Sequence, residues 1–398
     1  VSASEPQTAA ATEVGPVPTI EPTIHVSTLE LFFDLVFVFT LTQLTDVLVH
    51  HLDAAGVTRV LLMLGVIWWM YGGYAWLTNA VAPSSNVRRT LLLTGMAGFL
   101  VMALAIPEAF GASGWAFGVG YMVVNLVHTV LFFRADNRGS ALAMRSLAPF
   151  NFASALLVLV GGFVPGPLRY VLWAAALALQ IVTPYLHRLG WHSIVAGHFV
   201  ERHGLVVMIA IGESIVAIGV GFAGLPIDAG AVAVAVLGLA LAFYLWWAYF
   251  AGDDERAEHA LDAILQPLRK AQVAMRGWGY AHYPMILGVI VLAAGVKKAV
   301  GHAFEPLALQ PAVALSAGIA LFFLGHAWFL RILGIRGGAH RVGVAVAVLA
   351  AIPLGQVVAA AQLAALGVIM AIGMIVESRS RRRTGSTGVH TFGREGVR

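Results

Sequence analysis

Glu213 is the residue whose type and position most invite chemistry. It lies in the apolar run Gly212-Glu213-Ser214-Ile215-Val216-Ala217, and no Lys or Arg sits at its depth in any other apolar run. An ionisable side chain inside hydrocarbon is costly and by default marks an ion or proton pathway. Desolvation works against charge on such a carboxyl, so proton binding and release there are feasible. The structural alternative is a protonated Glu213 bonded to a carbonyl of a neighbouring helix. Ser214 adds a hydroxyl, and Gly212 permits close helix approach. Asp34 is the second intramembrane acid. Counting residues from the helix ends puts Asp34, His128, Gln180 and His326 in one layer, about 9 Å from the cytoplasmic face, with Glu213 deeper, at about 14 Å. Asn125 and Asn151 are close to the layer in depth. A polar layer drawn from both ends of the chain is what a binding site for a small solute, an ion or protons would look like. Each histidine alone also reads as a satisfied packing residue.

Glu30 and Glu201 stand at the starts of two apolar runs, and Glu30 shares a helix face with Asp34. Arg88, Arg89, Arg188 or Arg202 could pair with them, and such pairs often only fix helix ends. His187, His192, His198 and His203 surround one loop with Trp191, but their spacings match no two-histidine metal motif, so an interfacial segment is expected there. Phosphate loops, nucleophile elbows and dinucleotide fingerprints are missing from the sequence, which points to no catalytic set, cofactor or metal.

The elements that must position these groups follow from composition. Of 398 residues, 59% are hydrophobic and 11% charged, against about 25% charged in average soluble proteins. Such a chain cannot make the polar skin of a soluble enzyme, a disordered protein or a nucleic-acid binder. It has no cysteine, which removes disulfides, thiolate catalysis and Cys-held metals. An all-α polytopic protein of the cell membrane remains, with the lipid bilayer as its first partner and a homo-oligomer compatible.

A crossing needs about 20 apolar residues. Twelve spans are expected, near 28–49, 57–79, 90–109, 114–134, 147–164, 168–187, 204–223, 229–250, 280–300, 310–332, 342–357 and 359–377, the last two divided only by Pro353-Leu354-Gly355-Gln356. With both termini in the cytoplasm, 20 of the 24 cations fall on inside loops, as the positive-inside rule asks. Residues 1–24 read as a disordered cytoplasmic tail and 379–398 as a basic cytoplasmic tail. Within segment 251–279, residues 253–276 read as a cytoplasmic interfacial helix capped by Asp253, with Ala257, Leu261, Ile264 and Leu265 as its apolar stripe. The tryptophans near span ends read as belt anchors, and Gly114-x-x-x-Gly118 as helix packing.

An internal repeat divides the spans into two six-helix halves, 25–190 and 191–378. Glu30 matches Glu201 at an offset of 171, Trp68-Trp69 matches Trp246-Trp247 at 178, and His128 matches His326 at 198. Six crossings are an even number, so the halves would be parallel.

Leu29-Glu30-Leu31-Phe32-Phe33-Asp34-Leu35-Val36-Phe37-Val38-Phe39 resembles the opening motif of the bacterial low-temperature-requirement A (LtrA) family. Glu201-Arg202-His203-Gly204-Leu205 leading into Gly212–Ala217, Trp246-Trp247-Ala248-Tyr249-Phe250 and Tyr280-Ala281-His282-Tyr283-Pro284 resemble its later motifs, in order. Ala251 departs from the pattern where Asp is expected, although Asp253 and Asp254 follow closely. The resemblance implies a polytopic membrane protein and brings neither a substrate nor catalytic residues. A fainter similarity is to cation channels of two six-helix repeats, whose first helix carries Phe-Ser-Asp where this chain has Phe32-Phe33-Asp34. The function expected is secondary transport of a small solute or ion coupled to protonation of Glu213. A cation channel is the alternative, and a membrane-embedded enzyme acting on lipid is third.

Overall fold

The structure is a computed structural model that describes residues 26–81, 85–135, 138–186, 194–224 and 226–383. The expected tail at 1–24, His187, Arg188, Trp191 and His192, and the basic tail beyond residue 383 lie outside the described residues.

Among the described residues all regular structure is helical. The helices are α1 (Thr28–His50), α2 (Ala54–Ala80), α3 (Asn86–Ala105), α4 (Gly114–Phe133), α5 (Arg138–Phe163), α6 (Pro167–Leu186), α7 (Ala196–Gly221), α8 (Ala229–Phe250), α9 (Asp253–Asp262), α10 (Pro267–Ala274), α11 (His282–Ala299), α12 (Leu309–Ile332), α13 (Gly338–Leu349), α14 (Ile352–Gly355) and α15 (Ala359–Arg383). Side-chain caps start several of them. Ser27 and Glu30 form a reciprocal capping box on α1, Asp53 caps α2, Ser85 caps α3 and Asp228 caps α8.

Among the described residues, eleven helical segments are long and apolar enough to cross a membrane. All twelve expected positions are helical, but α6 is not among the eleven, because Arg169, Gln180 and Pro184 dilute its apolar run. Large apolar side chains such as Leu35, Leu104, Phe163, Val236 and Val346 face outward, where only hydrocarbon suits them. The short α14 occupies the expected division between the last two spans.

Three local expectations are corrected. First, α7 begins at Ala196 rather than 204, so Arg202, assigned to a loop in the charge count, is buried inside the helix. Hydropathy misses these first turns because their polar residues are compensated by another helix. Second, Asp253 does not cap α9. Gly252, at φ 90°, occupies that position, and Asp253 turns inward. The apolar stripe also splits: Ala257 and Leu261 are buried, whereas Leu265 lies beyond the helix end, exposed. Third, His198 and His203 are not interfacial but buried in α7. In mid-span, Trp68 is buried, and its indole N–H donates to the Gly279 carbonyl (2.7 Å) in the π-helical turn Met275–Ala281 that leads into α11.

Within α1–α6, α1 packs on α2 and α3, then α3 on α4, α4 on α5 and α5 on α6, while α2 touches α4 and α6. Within α7–α15, α7 packs on α8 and α11, then α11 on α12, α12 on α13 and α13 on α15, while α8 touches α12 and α15. The two sets meet where α1 and α2 contact α7 and α11. Glycines allow the closest crossings. A Cβ on Gly162 would lie 2.3 Å from the Gly114 carbonyl oxygen, one on Gly120 2.7 Å from that of Gly98, and one on Gly288 2.5 Å from that of Gly318. At the opposite end from α1's start, buried Arg169 donates to the carbonyls of Ala109, Gly111, Gly161, Gly162 and Val164 at 2.8–3.1 Å, closing the ends of two neighbouring segments.

Candidate functional site

The expected acids converge on the seam between α1 and α7. Glu30, Asp34, Thr42 and Asp46 follow one four-residue row of α1, which turns by about 40° per step, so the row winds from α7 toward α11. At the end of the seam where α1 and α7 begin, Glu30 Oε2 lies 3.2 Å from His198 Nε2, both residues buried. One turn deeper, Asp34 Oδ2 accepts from Arg202 Nη1 at 2.9 Å, with each partner 1% exposed. The Tyr71 hydroxyl donates toward Asp34 Oδ1 (3.1 Å), and the Arg202 guanidinium lies 5.4 Å from the Phe33 ring centre and 5.7 Å from that of Tyr71. A buried pair of this kind needs such added partners to offset its desolvation. At the far end Lys297 of α11 meets Asp46 at 2.9 Å.

Between these ion pairs sits Glu213. Its Oε2 is 2.7 Å from Thr42 Oγ1, and among the described residues no cation stands at ion-pair distance, although Lys297 acts on it through space. Glu213 is about 26 Å from the start of α7, not 14 Å, because the helix starts two turns earlier than expected. It therefore lies nearer the C-terminal end of α7, about 12 Å from it. Thr42 Oγ1 is also 3.3 Å from the Val38 carbonyl. A hydroxyl has one proton to donate and lone pairs to accept with, so two arrangements suit this geometry. With Glu213 ionised, Thr42 donates to it. With Glu213 protonated, the carboxyl donates to Thr42, which donates to Val38. Neighbouring Ser214 has a buried hydroxyl without a partner.

The remaining candidates do not join this seam. Glu201 is exposed and accepts from the Val26 backbone N–H at 3.3 Å. Gln180 Nε2 donates to the Tyr121 hydroxyl, and Asn125 Nδ2 donates to the Tyr121 carbonyl (3.0 Å). His128 lines a cavity among α2, α4, α5 and α6, together with Asn151. His326 lies 3.4 Å from Asp253 Oδ2. Asp253 in turn meets Arg341 (3.2 Å), Arg381 (3.0 Å) and Arg256, and Glu377 meets Arg341 (3.2 Å) and Arg381. Depth placed these residues in one layer, but depth says nothing of the direction in which a helix presents them.

His282, Tyr71 and Tyr249 were not singled out as site candidates in the sequence, and His203 was expected only in an interfacial segment. His203 and His282 lie between the two charged centres, with ring centres 6.0 Å apart, and Tyr71 is 6.4 Å from His203. His282 Nδ1–H donates to the Gly277 carbonyl (2.9 Å), which leaves Nε2 to accept from the Tyr249 hydroxyl (2.9 Å). Tyr249 is 5.8 Å from His326. One signal could have found the tyrosines: Tyr71 and Tyr249 are separated by the same 178 residues as the Trp-Trp pairs.

Two comparisons bear on this architecture. The family model described as bacterial low temperature requirement A protein (LtrA) matches residues 25–376. An uncharacterized protein of Rhizobium meliloti (strain 1021) is 29% identical over 318 residues, covering 76% of each chain.

Proposed function

The chain belongs to the bacterial low temperature requirement A family, and from that premise we propose that it is a secondary transporter of a small solute or ion, driven by protonation and deprotonation of Glu213. The two sets α1–α6 and α7–α15 act as six-helix halves that rock about the α1–α7 seam. The observation that carries this reading is the Thr42–Glu213 contact, whose geometry suits both protonation states of the carboxyl without moving a backbone atom. The seam also has ion pairs on both sides of Glu213, Asp34–Arg202 toward the cytoplasm and Asp46–Lys297 toward the outside. They would act as the contacts that part when one end opens. In this reading Asp34 is a latch rather than a proton carrier, and Ser214 offers its unpartnered hydroxyl to the cargo.

Proteoliposomes loaded with a pH-sensitive dye test the proposal. Proton movement is followed while outward gradients of amino acids, organic acids and alkali cations are imposed one class at a time. We expect saturable proton movement with one class, abolished by Glu213→Gln, and a shifted pH profile in Thr42→Val. Unitary conductance in planar bilayers would favour the channel, and lipid turnover without flux the enzyme. Proton movement that Glu213→Gln leaves intact would overturn the proposal.

A further inference from the structure

We propose that the cleft between α9, α10 and the end of α12 is a binding site for an anionic phospholipid. Arg269 and Arg276 hold its phosphate, and an acyl chain runs down the outer row of α12. The site is separate from the Glu213 seam and does not rest on the transport reading.

The cleft has a volume of about 250 Å³. It lies at the end of the molecule where α7 starts and α8 and α12 finish, because α9 follows α8 directly and packs on both α7 and α8. Its floor is apolar, built from Ala260 and Ile264 near the end of α9, Val273 of α10 and Ile332 of α12. Arg269, Gln272 and Arg276 line the same cleft. At spacings of three and four residues they fall on one helix face. Two guanidinium groups therefore border an apolar floor, and no Asp or Glu is among the described residues that line it. Asp262, the acid that ends α9, meets Lys270 instead (3.2 Å). The planar fork of a guanidinium matches phosphate oxygens, so the charge complement of this cleft is a phosphate or phosphodiester.

A free anion would account for the arginines but not for the apolar surface around them. Leu324 and Trp328 stand on the same four-residue row of α12 as Ile332, and each is 45% exposed. That row leads from the outward face of a membrane-spanning helix to the floor of the cleft. On the segment that joins α9 to α10, and at the start of α10, Leu265 is 87% and Leu268 40% exposed. Apolar side chains placed so, next to arginines, suit the boundary between headgroups and acyl chains rather than water. A basic pocket beside the end of a membrane-spanning helix is suited to an anionic headgroup. A zwitterionic headgroup brings its own cation to a cleft that already holds two, so the occupant carries net negative charge.

The test uses purified full-length protein in a non-ionic detergent and native mass spectrometry. The probes are dioleoyl phosphatidylglycerol and dioleoyl phosphatidylcholine, which share their acyl chains and differ in net charge. A cation beside anionic lipid strengthens binding about fivefold. We therefore expect saturable retention of phosphatidylglycerol, about 25-fold tighter than phosphatidylcholine for two arginines. Arg269→Gln/Arg276→Gln should lose that preference while melting like the wild type, since both side chains are exposed. Gln272→Glu sets an acid between them and should weaken phosphatidylglycerol about fivefold without changing phosphatidylcholine. The control Arg145→Gln/Arg379→Gln removes the same net charge from exposed positions outside the cleft and should retain the preference. Equal retention of the two lipids, or a preference that survives Arg269→Gln/Arg276→Gln, would overturn the proposal. An equal loss in the control would do so too, because the attraction would then belong to the whole surface. Displacement of phosphatidylglycerol by inorganic phosphate would also overturn it, by assigning the cleft to a free anion.

Discussion

The Asp34–Arg202 pair shows how unequal the two members of a buried ion pair are. Asp34 can shed its charge by taking a proton, but a guanidinium keeps its charge under all ordinary conditions. Removing the acid therefore leaves an uncompensated cation among Phe33, Tyr71 and the α1–α7 backbone, whereas removing the arginine leaves a group that can become neutral. We expect Asp34→Leu to destabilise the protein by about 3–5 kcal/mol, the usual cost of breaking a buried pair from one side. Arg202→Leu should cost less, and the double variant Asp34→Leu/Arg202→Leu should recover much of the loss in Asp34→Leu. Thermal melting in detergent, followed by intrinsic fluorescence, orders the three variants. A double variant worse than both singles would show that the pair does not behave as a coupled charge pair. Both residues could be read from the sequence as chemically interesting, and Arg202 stood among four possible partners for Glu30 and Asp34. Choosing among them required the azimuth of α7, which the sequence does not carry once the polar residues of its first turns interrupt the apolar period.

At the scale of helices, the glycines divide into those that make a crossing and those that make nothing. Gly318 of α12 is of the first kind: a Cβ there would lie 2.5 Å from the Leu292 backbone nitrogen and 2.6 Å from the Gly288 carbonyl oxygen. Gly367 of α15 is of the second kind, with nothing within 4 Å of the same atom. Gly318→Leu should force α11 and α12 apart and abolish stable expression or lower the melting temperature steeply. Gly367→Leu should leave stability unchanged, or raise it slightly by removing glycine's backbone entropy from a helix interior. Equal effects at the two positions would contradict the close α11–α12 crossing. Glycine content alone could not make this division. The Gly114-x-x-x-Gly118 spacing signalled one true crossing, but Gly98 and Gly288 have no glycine four residues away and act through glycines of other helices. The helices themselves were readable because each needs a long apolar run. α6 is the instructive exception, since Arg169 and Gln180 are buried by bonding to carbonyls and to Tyr121, a compensation invisible to hydropathy.

Across the whole molecule, the packing order of α1–α6 recurs in α7–α15 when α3, α4, α5 and α6 are matched to α11, α12, α13 and α15. The residue offsets agree with that matching. Gly120 and His128 on α4 are each 198 residues before Gly318 and His326 on α12, and Thr42 is 171 residues before Glu213, the same offset as Glu30 to Glu201. Thr42 and Glu213 are bonded to each other, as equivalent residues are where they face across a two-fold axis. These relations support the proposed parallel repeat, whose six-helix halves begin on the same side of the membrane. We propose, from the positive-inside asymmetry, that this side is cytoplasmic, since withdrawing the buried Arg202 and Arg341 from the loop count does not reverse the balance. The chain's lack of cysteine makes the orientation directly measurable. Ala112, exposed between α3 and α4, should lie outside, and Ala263, exposed just after α9, should lie inside. In intact cells a membrane-impermeant maleimide should label Ala112→Cys and spare Ala263→Cys until the membrane is permeabilised. The opposite labelling would invert the molecule and turn the Asp34–Arg202 pair toward the outside.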